Sequence, residues 1–318
     1  MNGSPPFTAA RYLGWVDWYF FARPVLMPPV WTILLLSAAP ISAAIPVNAL
    51  PATLLRVWLG LGLGFLLFGG VYVFNQIFDI ESDRQNRKLF FLPEGIIRLR
   101  FAIAQYAVFT VGAVIGGAAL GRTWLVATLA IVVLGILYSV PAVRLKDRPL
   151  GGLIANAVGH GTLAYYLGRA LGDPQSVPVW GESTSYAFAV AAVYLLTTIP
   201  DRAGDATTGK STVAVRFGSR VAAAAAVMCV LAAGLAAIHY RQWPVAISAG
   251  VSLPWFALTV AAERLCRVGI RVALLTLSFF ACLAFWPYIF ILLFIWVSTR
   301  WYYRRRFGVR YPRFGGGG

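Results

Sequence analysis

The chain has 318 residues, 59% of them hydrophobic and only 12% charged, with a mean hydropathy of +0.74. Soluble domains carry about 25% charged and roughly 45–50% apolar residues, so this composition excludes a soluble globular domain, a disordered chain and a disulfide-rich secreted module and leaves a polytopic helical membrane protein. The net charge of +16, from 27 Lys and Arg against 11 Asp and Glu, reads as the basic bias of loops on one side of a bilayer, with no nucleic-acid partner expected.

In chain order, the opening MNGSPPFTAARYLGWVDWYF lacks a basic stretch followed by an apolar run and a small-residue cleavage site, so no secretory signal is expected. A bilayer span needs about 20 predominantly apolar residues. Nine such runs are predicted, over 25–45, 54–74, 101–120, 123–141, 151–171, 185–200, 219–239, 243–262 and 272–298. The fifth carries Asn156, His160 and Arg169, the sixth is short, and the last contains Trp286-Pro287, a predicted kink. The chain thus reads as all-α, with one transmembrane domain over 1–299 and a basic, glycine-ended tail over 300–318. Cys229, Cys266 and Cys282 lie in or beside apolar runs, with no CxxC, and read as buried thiols.

With the N-terminus inside, the inner segments hold seventeen basic residues and the outer loops four: Arg56, Arg122, Arg169 and Arg241. That asymmetry orients the bundle. The remaining six basic residues lie in the tail, which an odd number of spans would place outside, against the same rule.

Six of the eleven acids fall in two inner segments. Asn75-Gln76-Ile77-Phe78-Asp79-Ile80-Glu81-Ser82-Asp83 continues out of the second span, and a persisting helix would put Asn75, Asp79 and Asp83 on one face. Asp201-Arg202-Ala203-Gly204-Asp205 leaves the sixth span after Pro200 with the same spacing of four. Carboxylates so placed repel, and proximity to hydrocarbon worsens the repulsion. Hard oxygen ligands suit Mg²⁺, which typically joins one or two carboxylates to substrate phosphates. A diphosphate held between the Asp pairs by Mg²⁺ follows, with Arg84, Arg87, Lys88, Lys210 and Arg216 available to its oxygens. The competing reading is of ordinary solvated loops whose acids are balanced by neighbouring arginines. Gly204 to Ser211 also matches the nucleotide-binding pattern GxxxxGK[ST], but that motif needs a strand before it and a helix after it, and here it lies between two spans.

The chain resembles the UbiA superfamily of intramembrane prenyltransferases. Asn75-x3-Asp79-x3-Asp83, with Asn86, resembles the family's first Asp motif. Tyr138-Ser139-Val140-Pro141-Ala142-Val143-Arg144-Leu145-Lys146 resembles its Tyr-Ser loop, and Asp201-x3-Asp205 with Gly209-Lys210 and Arg216 resembles its second Asp motif. The resemblance implies nine helices around a central cavity open to lipid, in the cell's inner membrane with the site facing the cytoplasm. It implies that a prenyl diphosphate is bound through Mg²⁺ and ionised, and that the prenyl group passes to a lipophilic or aromatic acceptor. Asn75, Asp79, Asp83, Asp201 and Asp205 would ligate metal and diphosphate. Arg144, Lys146, Lys210, Arg87, Lys88 and Arg23 would bind substrate, Tyr138 and Ser139 would line the meeting place of cation and acceptor, and Asn156 would line the cavity with His160 one turn on.

Two departures stand out. Phe90 occupies a place where an Arg is expected, so that Phe90-Phe91 would suit a hydrophobic lid. Phe20 stands one turn before Pro24 where a base would favour a carboxylated acceptor. A terpene cyclase of the same fold and a non-catalytic transporter or lipid-binding protein are the alternative functions.

Overall fold

The computed structural model describes residues 14–42, 50–85, 90–173, 179–309 and 311. Among them there is no strand, and eight helical stretches are long and apolar enough to cross a membrane: Gly14–Ala38, Leu54–Phe78, Leu99–Leu120, Arg122–Ser139, Trp180–Thr207, Ser219–His239, Trp243–Ala261 and Glu263–Ala284. The elements are α1 (Gly14–Phe21), α2 (Met27–Ser42), α3 (Leu50–Phe78), α4 (Ile80–Gln85), α5 (Leu99–Leu120), α6 (Arg122–Ser139), α7 (Pro149–Asn156), α8 (Ala164–Gly172), α9 (Trp180–Thr207), α10 (Val213–Phe217), α11 (Ser219–His239), α12 (Trp243–Ala261), α13 (Cys266–Ala284) and α14 (Tyr288–Phe307). A π-helical segment, Ala157–Leu163, joins α7 to α8.

In lipid, helices associate through close packing rather than through burial of apolar surface from water. The chain accordingly places small residues where helices meet. Ala222, Ala223, Ala226, Ala233 and Ala237 of α11 are all buried, between α9 and α12. A Cβ on Gly168 of α8 would overlap the Leu34 carbonyl of α2. Gly121, at φ +121°, is the one residue linking α5 to α6. The outer surface remains apolar, as lipid contact requires, with Val108, Ile115, Leu235, Phe290 and Phe294 exposed.

Three predicted boundaries move. The first span starts at Gly14, because Arg23 lies inside it, in a left-handed turn (φ 58°) before a short 3-10 segment at Pro24–Leu26, and does not mark its edge. The helix of the second span does not persist through the acidic run: it ends at Phe78, Asp79 forms the joint, and α4 resumes at Ile80. The last predicted span is two helices, since Phe285-Trp286-Pro287 is a turn and not a kink. The Tyr288 hydroxyl donates to the Pro28 carbonyl at 2.7 Å, and Arg306 pairs with Asp17, so α14 runs antiparallel to the first span. Phe90 and Phe91 pack on Phe307 at that same end. The chain therefore returns to the end that carries the first acidic segment, and α14 runs unbroken through residue 299.

Candidate active site

The Tyr-Ser loop leaves α6 through Val140 and re-enters helix at α7. Between them Arg144, held left-handed at φ 42°, opens a 3-10 turn over Leu145–Asp147. A non-glycine residue there costs on the order of 1 kcal/mol or more. The strained turn drives Lys146 inward, where it is 5% exposed. Its Nζ donates to Asp79 Oδ1 at 2.6 Å and to Asn75 Oδ1 at 2.9 Å. Asn75 Nδ2 donates to Asp79 Oδ2 at 3.1 Å, and the Ser139 hydroxyl donates to Asn75 Oδ1 at 3.3 Å. Four sequence-predicted residues from three elements thus form one buried cluster.

Asp83 follows one turn on, with its backbone N–H on the Asp79 carbonyl at 2.7 Å. Burial, and next the Asp79 carboxylate, push its carboxyl up to about 7, against the opposing pull of Arg23, Lys210 and Lys146. Burial likewise pushes the Lys146 ammonium down, while Asp79 opposes that shift. The charge of Lys210 reaches Asp83 from the second acidic segment. That segment closes α9: Asp201 is exposed on its last turns, Asp205 is half-buried, and Asp205 and Lys210 are joined by a backbone hydrogen bond of 2.9 Å. Ser211 N–H donates to the Asp147 carbonyl at 3.1 Å, fastening this turn to the Tyr-Ser loop. No strand precedes the GxxxxGK[ST] match, which is the end of a helix and a turn.

Below this polar cap lies a cavity of about 460 Å³, lined by Arg23, Tyr72, Asn75, Tyr138, Asn156 and His160 at one end and by apolar and small side chains of α2, α9, α11, α12 and α13 at the other. The size is ordinary for a small-molecule site. Tyr138 and Asn156 both line it, and the Asn156 amide donates to the Gly152 carbonyl at 2.9 Å. Arg23 Nε is buried without a partner at the cavity wall. Arg144 instead pairs with Asp147 at 2.7 Å. Arg87 and Lys88 lie outside the described residues. Phe90-Phe91 is not a free lid, since Phe91 is fully buried between Phe21, Tyr302 and Phe307. Sequence reasoning missed Tyr72 and Tyr194 as cavity residues. Both had a periodic signal, Tyr72 three before Asn75 and Tyr194 seven before Asp201, each on the same helix face as its motif.

Among the described residues no three Asp, Glu, His or Cys side chains are close enough to form a closed metal cage. The donors that converge on Lys146 are oxygens of Asn75 and Asp79, and its ammonium stands where they gather. An oxygen-only, part-open donor set fits Mg²⁺, which keeps open positions for water and phosphate.

A charged, oxygen-rich cluster thus closes one end of an apolar cavity within a bundle of membrane-spanning length. The sequence model of the UbiA prenyltransferase family matches residues 25–267; the chain belongs to this family. Among solved structures it is similar to a UbiA homolog from Archaeoglobus fulgidus bound to DMAPP and Mg²⁺, at 22% identity and TM-score 0.58, covering 81% of this chain and 99% of that one. A digeranylgeranylglyceryl phosphate synthase matches at 17% identity and TM-score 0.61, covering 84% and 98%. An apo UbiA homolog from Aeropyrum pernix K1 matches at 16% identity and TM-score 0.61, covering 85% and 97%. No curated protein matches the chain by sequence.

Proposed function

We propose that the protein is an integral-membrane, Mg²⁺-dependent prenyltransferase that moves a prenyl group from a prenyl diphosphate to a lipophilic or aromatic acceptor and releases diphosphate, with its site on the cytoplasmic side of the inner membrane. The observation that carries this reading is the Lys146–Asp79–Asn75 cluster closing one end of an apolar cavity. The similar Archaeoglobus structures, described as bound to DMAPP or GPP with Mg²⁺, support it.

Asn75, Asp79 and Asp83 from one side and Asp201 and Asp205 from the other would hold the metal. When bound, Mg²⁺ supplies positive charge that stabilises the departing diphosphate. Lys146, Lys210 and Arg23, and Arg144 on leaving its pair with Asp147, would bind phosphate oxygens, and their charge would favour the leaving group as its bond to the allylic carbon breaks. The apolar cavity holds the isoprenoid chain and excludes water, which would otherwise capture the cation. Tyr138 lines the cavity where that cation and the acceptor would meet.

The test is diphosphate release in proteoliposomes given farnesyl or geranylgeranyl diphosphate, with Mg²⁺ or EDTA and with or without aromatic acceptors. Release requiring Mg²⁺, Asp79, Asp201 and an acceptor supports the transferase. Release without acceptor would move the assignment to a cyclase. Absence of release in the wild type would remove the enzyme reading.

A further inference from the structure

One polar pair in the cavity has no part in holding diphosphate. Tyr72 OH and His160 Nε2 are 3.1 Å apart, with their rings parallel to within 9° and centroids 6.1 Å apart. Both line the cavity. Tyr72 is three residues before Asn75 on α3, about 4.5 Å along the axis toward the membrane interior. His160 is four residues after Asn156, which lines the cavity beside Tyr138. The pair therefore stands one layer beneath the Asn75–Asp79–Lys146 cluster to which the proposed function assigns the diphosphate.

The local backbone is built to put His160 there. It lies in the π-helical segment, flanked by Gly159 and Gly161. A Cβ on Gly161 would overlap the α9 backbone at Ala187, so the segment sits hard against α9. Single π turns interrupt a helix's register and recur at functional positions. His160 Nδ1 is also buried with no hydrogen-bond partner. An orphaned buried polar atom costs about 1–3 kcal/mol.

We propose that Tyr72 and His160 are the proton-accepting station for a hydroxyl-bearing aromatic acceptor. The assignment rests on the prenyltransferase reading and adds the acceptor's chemistry to it. As a lone pair of the acceptor's hydroxyl oxygen forms the new bond to the prenyl carbon, the carbon–oxygen bond to diphosphate breaks and its pair leaves with the diphosphate. The acceptor's O–H proton passes to the Tyr72 oxygen while the Tyr72 proton passes to His160 Nε2. Tyr72 touches the acceptor; His160 acts through Tyr72 as a positioning and proton-holding residue.

The experiment compares wild type, Tyr72→Phe and His160→Gln in proteoliposomes with geranylgeranyl diphosphate, Mg²⁺ and two acceptor probes. Hydroquinone must lose a proton, whereas a nitro-substituted hydroquinone is already ionised at the assay pH. General-base help contributes about 10²–10⁴-fold. Both variants are expected to lose at least ~100-fold in kcat with hydroquinone, with KM for geranylgeranyl diphosphate within about threefold of wild type, and to recover to within about tenfold of wild type with the ionised probe. Equal losses on both probes, unchanged kcat in His160→Gln, or a wild type that transfers to neither probe while still releasing diphosphate would overturn the assignment. A wild type without Mg²⁺-dependent release would overturn the transferase reading and this assignment with it. Melting temperatures run in parallel separate a folding loss from a chemical one.

Discussion

Lys146–Asp79 and Arg306–Asp17 are both buried ion pairs, 2.6 and 2.7 Å long, and both stand at the end of the bundle that carries the first acidic segment. They are built differently. Asp17 is saturated: Arg306 Nη2 donates to one oxygen, Arg306 Nε and the Tyr302 hydroxyl to the other. The planar guanidinium fork fixes both partners in one geometry. Asp79 instead faces a single ammonium on a flexible stem and one amide of Asn75, at a joint between two helices. Its ion pair can be rearranged when a ligand arrives, whereas the Asp17 pair can only be broken. The first lies inside the residues matched by the family and the second spans the two ends of the chain outside them.

The largest expected effect separates the pairs by activity. Asp79→Asn should cut Mg²⁺-dependent diphosphate release by about 10³-fold, the order seen when a group facing developing charge is removed. It should also destabilise the fold by about 3–5 kcal/mol, because Lys146 is left charged and unpaired in a buried place. Asp201→Asn should lose comparable activity yet shift stability by no more than about 0.5 kcal/mol, since Asp201 is exposed. Release assays and melting temperatures on the same preparations check both arms. A stability loss shared by the two variants would contradict the contrast.

Breaking the other pair comes next. Asp17→Asn should cost about 3–5 kcal/mol of stability while leaving release per folded molecule within about threefold. Asp17→Leu with Arg306→Met should return much of that stability, because two well-packed apolar groups avoid the desolvation of two charges. The corresponding double replacement at Asp79 and Lys146 would restore stability without activity.

A third difference is in pH. The Asp83 carboxyl, raised to about 7, carries a proton below that pH, and a bound Mg²⁺ must displace it. Apparent Mg²⁺ affinity should therefore rise with pH up to about 7 and level off above it, by up to about tenfold per unit for one proton released. Titration of Mg²⁺ by calorimetry in two buffers of different ionisation heat reads the proton directly. Asp83→Asn should abolish the slope, and Asp17→Asn should leave it intact.

How far each pair was legible in the sequence follows from the range of the signals. Asn75, Asp79 and Asp83 announce themselves by a spacing of four, and Lys146 by its place in the Tyr-Ser loop, so the residues of the Asn75–Asp79–Lys146 cluster are legible in the sequence. The joint at Asp79 was not foreseen, because a helical period persists whether or not one residue leaves the helix. Arg306 and Asp17 are separated by 289 residues and share no pattern with any neighbour. Arg306 looked like one of six tail charges, and Trp286-Pro287 looked like a kink within one span. Had the turn at Pro287 been recognised, the return of α14 to the end that carries Asp17 would have placed Arg304, Arg305 and Arg306 with the first acidic segment and removed the conflict with the charge rule. Arg23 was misplaced for the opposite reason: a charge near a span's end looks like an edge marker, and only the left-handed turn shows it inside.

The smallest expected effect tests how saturated Asp17 is. Tyr302→Phe removes one hydroxyl and keeps the ring, which stacks on Phe20 at 3.9 Å and 12° and lies parallel to Phe91. A hydrogen bond to a charged group contributes about 1.5–3 kcal/mol, and here Arg306 still holds both oxygens, so the loss should fall near the bottom of that range. Asn75→Ala is the matching change at the other pair: it removes the amide on Asp79 and the oxygen that Lys146 and Ser139 share. That variant should lose activity out of proportion to stability, because Lys146 loses an anchor and Asp79 its orientation. If Tyr302→Phe instead depressed release and Asn75→Ala left it unchanged, the pair joining the ends of the chain would be the one coupled to chemistry, and the division between a rearrangeable and a fixed ion pair would be reversed.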